Sequence, residues 1–255
     1  MTTHTSPVAP DARRPIGPHA GALALITTVL VVAAVALPSV LTGQPGYVLP
    51  TASAGEVQSY FATSSDAARL TAMFQFAGAV PLGILTATFY AHLLRLGIKV
   101  PGPSIAFYGG TVASGLMLVS SGALWAAAEL GGSASGDSLR ALTLLAFATG
   151  GSGYLVGLGL LIAGVAVPVL VLRLVPRALG FGGLVIAAIC ELSTLDLLTH
   201  VFDPLLPIGR FAALVWLVAL GFLLPKSVRR RNAGGRFRAS RQQAEDATVP
   251  ETAGV

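Results

Sequence analysis

Six long apolar runs dominate this chain and leave it few ways to fold. A helix needs about 20 apolar residues to cross about 30 Å of hydrocarbon. Runs of that kind fall at residues 20–41, 70–94, 105–128, 142–172, 179–198 and 211–224, the last so short that its helix should start a few residues earlier. An open sheet would leave backbone N–H and C=O groups unpaired in lipid, so continuous runs of this length mean helices. Only 11% of the 255 residues are charged. Soluble domains carry roughly 25%, so there is too little charge here to cover a water-facing surface. The expected fold is all-α, a polytopic bundle of six transmembrane helices.

The basic residues orient such a bundle. With the N-terminus inside, 13 of the 16 Lys and Arg fall in cytoplasmic segments: Arg13 and Arg14, Arg95 and Lys99, Arg173 and Arg177, and the run from Lys226 to Arg241. Only Arg69, Arg140 and Arg210 fall outside, together with Glu56, Asp66, Glu129, Asp137 and Asp203. This is the bias of cations toward the cytoplasmic side, and it predicts six helices with both termini cytoplasmic. Residues 1–19 read as a loose, proline-rich tail, 20–225 as the membrane domain, and 226–255 as a basic tail.

The stretch "KSVRRRNAGGRFRASR" marks topology. It also suits anionic lipid head groups, each cation near the surface contributing about 1 kcal/mol. Nucleic acid is not the expected partner despite a pI near 9.9, because this tail has one aromatic, Phe237, and no folded basic face. The first run resembles a signal peptide in having Arg13-Arg14 ahead of it and Ala34-Val35-Ala36 within it. It is long for a signal and five more runs follow, so it reads as a retained helix.

Between the first two runs, Val57, Tyr60 and Phe61 stand at helical spacing, which predicts a short helix lying on the outer leaflet. Two stretches share a layout. "SDAARL" at Ser65 leads through a run to "RLGIK" and then "FYGG"; "GDSLRAL" at Gly136 leads to "RLVPR" and then "GFGG". Asp66 and Asp137 take the place of N-caps in this reading. Helices two-three and four-five would then form a parallel hairpin repeat of the kind found in transporters.

The intramembrane carboxylates are the natural place to look for chemistry. Glu191 lies fourteen residues above Arg177, about 21 Å along a helix. A charge at that depth costs at least about 2.5 kcal/mol, so it should face the bundle interior. Leu184, Ala187, Ala188 and Thr194 share its face. Gln75, Ser120, Ser121 and Ser152 lie at similar depth and complete a candidate polar layer. Asp196 is about 140° away round the helix and aligns instead with Ser193 and His200, so an Asp196–His200 contact is expected at the outer edge. Arg69, Arg140 and Arg210 should ring the same rim. The fourth run contains Gly150-Gly151-Ser152-Gly153 and Pro168. A break there would line a cavity, whereas Gly153 to Gly157 as a GxxxG would serve close packing.

Enzymatic readings find little support. His92 and His200 sit at opposite ends of their helices, so a bis-histidine haem is excluded. Four scattered histidines and one cysteine, Cys190, make no metal cluster. The serines of "GGSASG" have no base but His200 on their side, and no phosphate-cradling loop appears. No cofactor and no catalytic activity are expected.

The segments "MFQFAGAVPLGI" and "LAFATGGSGYLVGLGLLIAGV" resemble uncharacterised six-helix membrane proteins of actinobacteria and related bacteria, a domain-of-unknown-function family. The resemblance spans residues 20–224 and implies a bacterial inner membrane, with no activity to carry over. Two readings of function stand at this point. One is a small-solute or proton- or cation-linked transporter or binding protein with Glu191 at its site. The other is a structural or accessory membrane component without transport. A water-accessible cavity reaching Glu191 would separate the first from the second.

Overall fold

Every helix must dispose of four N–H groups at its start and four C=O groups at its end. The computed structural model, which describes residues 17–225, shows how this chain does so. The basic run from Lys226 and residues 1–16 lie outside the described residues. Helix α1 (Ala20–Thr42) begins where the His19 imidazole accepts from Ala22 N–H at 3.3 Å. It stops at Gly43, whose φ of 70° is the left-handed stop that glycine adopts without a Cβ penalty. Helix α2 (Ala54–Arg95) opens on a capping box. Ser53 Oγ accepts from Glu56 N–H, and Glu56 Oε2 accepts from Ser53 N–H at 2.7 Å. Helix α3 (Gly102–Leu130) follows Pro101.

Ser135 caps α4 (Gly136–Ala148). That helix passes through a π-helical segment, Thr149–Gly153, into α5 (Tyr154–Val171). Pro176 precedes α6 (Arg177–Leu192). Two 3₁₀ turns, Ser193–Leu197 and His200–Phe202, lead to α7 (Leu205–Leu223). Six helical stretches are long and apolar enough to cross a membrane: Ala20–Thr42, Ala54–Arg95, Gly102–Leu130, Gly136–Val171, Arg177–Leu197 and His200–Leu223. No strand occurs among the described residues. The fold is an all-α bundle with the architecture of a multi-pass membrane protein. The end of the bundle where α1 starts and α7 finishes is called here the terminal end, and the opposite one the loop end.

Small residues set the spacing of the helices, as they do where lipid supplies no hydrophobic drive for association. Between α3 and α5, a Cβ on Gly157 would lie 2.5 Å from Ala113 N, and one on Gly102 would lie 2.7 Å from Gly164 O. On the other side of α5, Gly159 admits α6 at Ala187 and Cys190. At the terminal end α1 meets α7, where a Cβ on Gly221 would lie 2.7 Å from Gly21 Cα. The core between these seams is filled by Leu82, Leu85, Phe89, Leu158, Leu161 and Ile162, all fully buried.

Three expectations from sequence are corrected. The second span does not begin at residue 70: the short helix expected over Val57, Tyr60 and Phe61 forms from Ala54 and joins the long one across a kink at Ser64 (φ −123°, ψ 19°). Val57 and Phe61 therefore do not lie on a leaflet. They are buried against Leu124, Ala127 and Leu139, because α4 runs alongside this extension and gives it a partner. Asp66 and Asp137 are not the caps either. Ser53 and Ser135 do that work, Asp66 lies inside α2, and Asp137 sits in the first turn of α4. In the paired Gly-Gly positions, Gly109 and Gly110 are pressed against α5 and α2 and Gly183 against Trp216 of α7, while a Cβ on Gly182 would meet nothing within 4 Å.

Candidate functional site

The expected polar layer is only partly assembled. Gln75 Nε2 donates to Ser120 Oγ at 3.3 Å, and Ser120 Oγ donates to Ala146 O at 2.7 Å. Ser121 donates within its own helix to Met117 O, and Thr194 to Glu191 O. Glu191 itself is not in the interior. It lies on the exposed side of α6, beside the backbone of α5 at Gly159. The buried stripe of α6 is Gly180, Gly183, Ala187 and Cys190. Glu191 comes one residue, or about 100°, after it.

Asp196 is the buried acid instead, 4% exposed. Ser152 Oγ, from the π segment, sits 2.7 and 2.9 Å from its two oxygens. The expected Asp196–His200 contact is absent. His200 Nδ1 meets Asp203 Oδ2 at 3.3 Å, because the chain leaves the α-helix at Ser193 and the four-residue helical spacing no longer applies. On the rim, Arg69 pairs with Asp66 at 3.0 Å and with Glu129 at 2.8 Å, and Arg140 donates to Ala52 O at 3.1 Å.

Arg210 departs most from its expected place on that rim. Helix α7 starts at Leu205, so Arg210 falls in its second turn and points into the bundle. Its guanidinium donates to Gly150 O in the π segment, and its Cζ lies 5.3 Å from the centre of the Tyr154 ring. A π bulge turns carbonyls out of the regular ladder, and Arg210 occupies one of them. Among the described residues no carboxylate lies within ion-pair distance of Arg210.

Arg210 borders a cavity of about 350 Å³ in the loop-end half of the bundle. Helix α4 leans on α2 and α3, while α7 leans on α1, α5 and α6; the space left between them is this cavity. Apolar side chains make up most of its wall, among them Val31, Met117, Leu124, Phe147 and Leu206. Its polar members are Gln75, Ser120, Thr71, Thr143, Tyr47, Tyr154, Asp203 and Arg210. Four of these hold a buried atom with no hydrogen-bond partner: Thr71 Oγ1, Tyr154 Oη, Asp203 Oδ1 and Arg210 Nε. Among the described residues they are all the buried side-chain nitrogens and oxygens left without one. Buried polar groups are almost always paired, so their concentration in one wall sets this cavity apart from the rest of the interior.

No family model, curated protein or solved structure matches this chain. The site is therefore read from its own chemistry. Neither Glu191 nor Asp196 lines the cavity. Gln75, Ser120 and Arg210 do, together with Thr71, Tyr154 and Asp203, which sequence reasoning did not select. Asp203 closes the His200–Phe202 turn ahead of α7, so helical spacing gave no signal that it would share a wall with Arg210.

Proposed function

We propose that this chain is a bacterial plasma-membrane protein, both termini cytoplasmic, that binds a small organic anion in a cavity of the outward half of its bundle. The observation that carries this reading is Arg210. Its side chain is half-buried, its Nε is buried without a hydrogen-bond partner, and among the described residues it makes no ion pair, although Asp203 lines the same cavity. A buried charge needs a partner. A guanidinium matches a carboxylate or phosphate with two parallel hydrogen bonds. The Tyr154 hydroxyl, on the ring beside Arg210, and the Thr71 hydroxyl line the same cavity without a hydrogen-bond partner. A cation-linked site built on Glu191 finds no support in this arrangement, since that residue is outside the cavity.

The test is binding by the purified, detergent-solubilised protein. Carboxylates and phosphate monoesters should raise its unfolding temperature in a saturable way, and Arg210→Gln should remove the effect. Glu191→Gln should leave it intact. If no anion of either class stabilises the protein, or if the Arg210→Gln variant responds equally, the reading fails.

The accessory-protein reading draws on one observation of its own. Glu191 is exposed on α6 at membrane depth, beside Val185 at 60% and Leu192 at 53% exposure. Should Glu191→Gln lower cellular abundance while anion binding is retained, that acid serves the bundle or its neighbours rather than the site.

A further inference from the structure

We infer that the anion is an amphiphile: it carries a single hydrocarbon chain and reaches Arg210 sideways from the bilayer, between α1 and α7. This rests on the reading of the cavity as an organic-anion site and names the class of anion.

Three features of the cavity point this way. The first is the contrast between floor and wall. A site for a compact hydrophilic anion would surround it with donors. Here the one cation, Arg210, stands against Tyr154, further hydroxyls, amides and the Asp203 carboxylate are scattered over the wall, and most of the lining is aliphatic and aromatic. Such a wall gains from taking up methylenes and offers a water-soluble anion nothing.

The second feature is where the cavity opens. The exposed members of its wall are Val35, Tyr47, Leu49, Pro207 and Phe211. Val35 (41% exposed) and Phe211 (39%) belong to α1 and α7. These helices are pressed together at the terminal end, at Gly21 and Gly221, and both wall the cavity at the loop end. Val35 lies seven residues before the end of α1 and Phe211 six after the start of α7, each about 10 Å along its helix. With the helix ends at the bilayer surface, the mouth reaches from the loop end down to the depth of acyl chains. The loop above it is tied at both ends. Tyr60 Oη donates to Pro45 O at 2.9 Å, Ser64 Oγ donates to Gln44 Oε1 at 3.3 Å, and Arg140 holds Ala52 O. The loop is fastened at its ends, and the exposed wall runs from its Tyr47 and Leu49 down to Val35 and Phe211 between α1 and α7.

The third feature is size. An apolar cavity of about 150 Å³ takes up benzene. The 350 Å³ here therefore has room for roughly a dozen heavy atoms: a head group and the first part of one chain. The rest of a longer chain leaves past Val35 and Phe211 into the lipid. Two chains do not fit.

The experiment uses the full chain in phosphatidylcholine vesicles. A photoactivatable fatty acid with its diazirine in mid-chain should crosslink to α1 around Val35 and to α7 around Phe211. Excess dodecanoate or dodecyl phosphate should suppress that labelling, and dodecyltrimethylammonium should not. The relative potency of the first two tells a carboxylate ligand from a phosphate one. Arg210→Gln should weaken competition at least about tenfold, as loss of a charge-assisted hydrogen bond does. Val35→Trp, which narrows the mouth, should reduce labelling. If that variant does not fold, the crosslink map of the unaltered protein still decides.

The inference is overturned if the label falls evenly over the lipid-facing helices. It is also overturned if butyrate competes as well as dodecanoate; the anion site itself would then stand and only the chain would go. If no anion competes and Arg210→Gln changes nothing, the reading beneath it falls as well.

Discussion

Asp196 has one side-chain partner, the hydroxyl of Ser152, and almost no contact with solvent. Its hydrogen bond is therefore worth more than a surface one. Removing one partner of a buried pair leaves the other to bear its full desolvation cost. Ser152→Ala should destabilise the protein by about 1.5–3 kcal/mol, the range for hydrogen bonds to charged groups. Asp196→Asn keeps an acceptor in place and should cost less. Unfolding in mixed micelles, followed by circular dichroism, measures both; equal stability of Ser152→Ala and the parent would remove Asp196 from the structural core. At this scale the sequence was half legible. It marked Glu191 and Ser152 for the interior and Asp196 for the outer edge, because charge and hydroxyls stand out among leucines. It chose the wrong acid to face inward. Which one does depends on the stripe of Gly180, Gly183, Ala187 and Cys190, and on the switch from α to 3₁₀ geometry at Ser193.

At the scale of whole helices, the fourth span joins two kinds of packing. Its α5 half lies against α3 with backbone nearly touching backbone, while its α4 half stands away from α7 and leaves the cavity. The π segment is the joint. Both expectations for its glycines have a place here: Gly157 serves close approach, and Gly150 and Gly151 line the cavity. A methyl group distinguishes the two kinds of position. Gly157→Ala would drive Cβ against the backbone at Ala113 and Gly109 O, which cannot give way as a side chain tip can, and should cost about 1–3 kcal/mol. In α3, Gly122→Ala meets nothing within 4 Å and should be neutral or stabilising by up to about 1 kcal/mol, from helix propensity alone. Thermal unfolding of the two variants side by side tests the seam; equal stability would mean that α3 and α5 can part at little cost. The apolar runs announced the spans, but they hid the first sixteen residues of α2. Residues 54–69 include Gln58, Ser59, Thr63 and Asp66, so hydropathy stops at residue 70. The helix there is held by a capping box and by Val57 and Phe61 packed beneath α4.

For the molecule as a whole, the distribution of free cations decides how it sits in the bilayer. The three Arg counted as outward by the sequence are each engaged. Arg69 is shared between Asp66 and Glu129, Arg140 holds a backbone carbonyl, and Arg210 is inside the bundle. Arg95, Lys99, Arg173 and Arg177 belong to the connections at the terminal end, so the asymmetry that orients membrane proteins is stronger in three dimensions than in the count. The terminal end should therefore be cytoplasmic and the cavity should open in the outer leaflet. The native cysteine, Cys190, is buried, which leaves the protein ready for labelling with single added thiols. Ala62 and Val100 are both exposed, one at the loop end and one at the terminal end. In intact cells a membrane-impermeant maleimide should label Ala62→Cys at once and Val100→Cys only after permeabilisation, with the parent unlabelled throughout. The reverse pattern would turn the bundle over, place the mouth between α1 and α7 in the inner leaflet, and require any amphiphile bound at Arg210 to come from the cytoplasmic side.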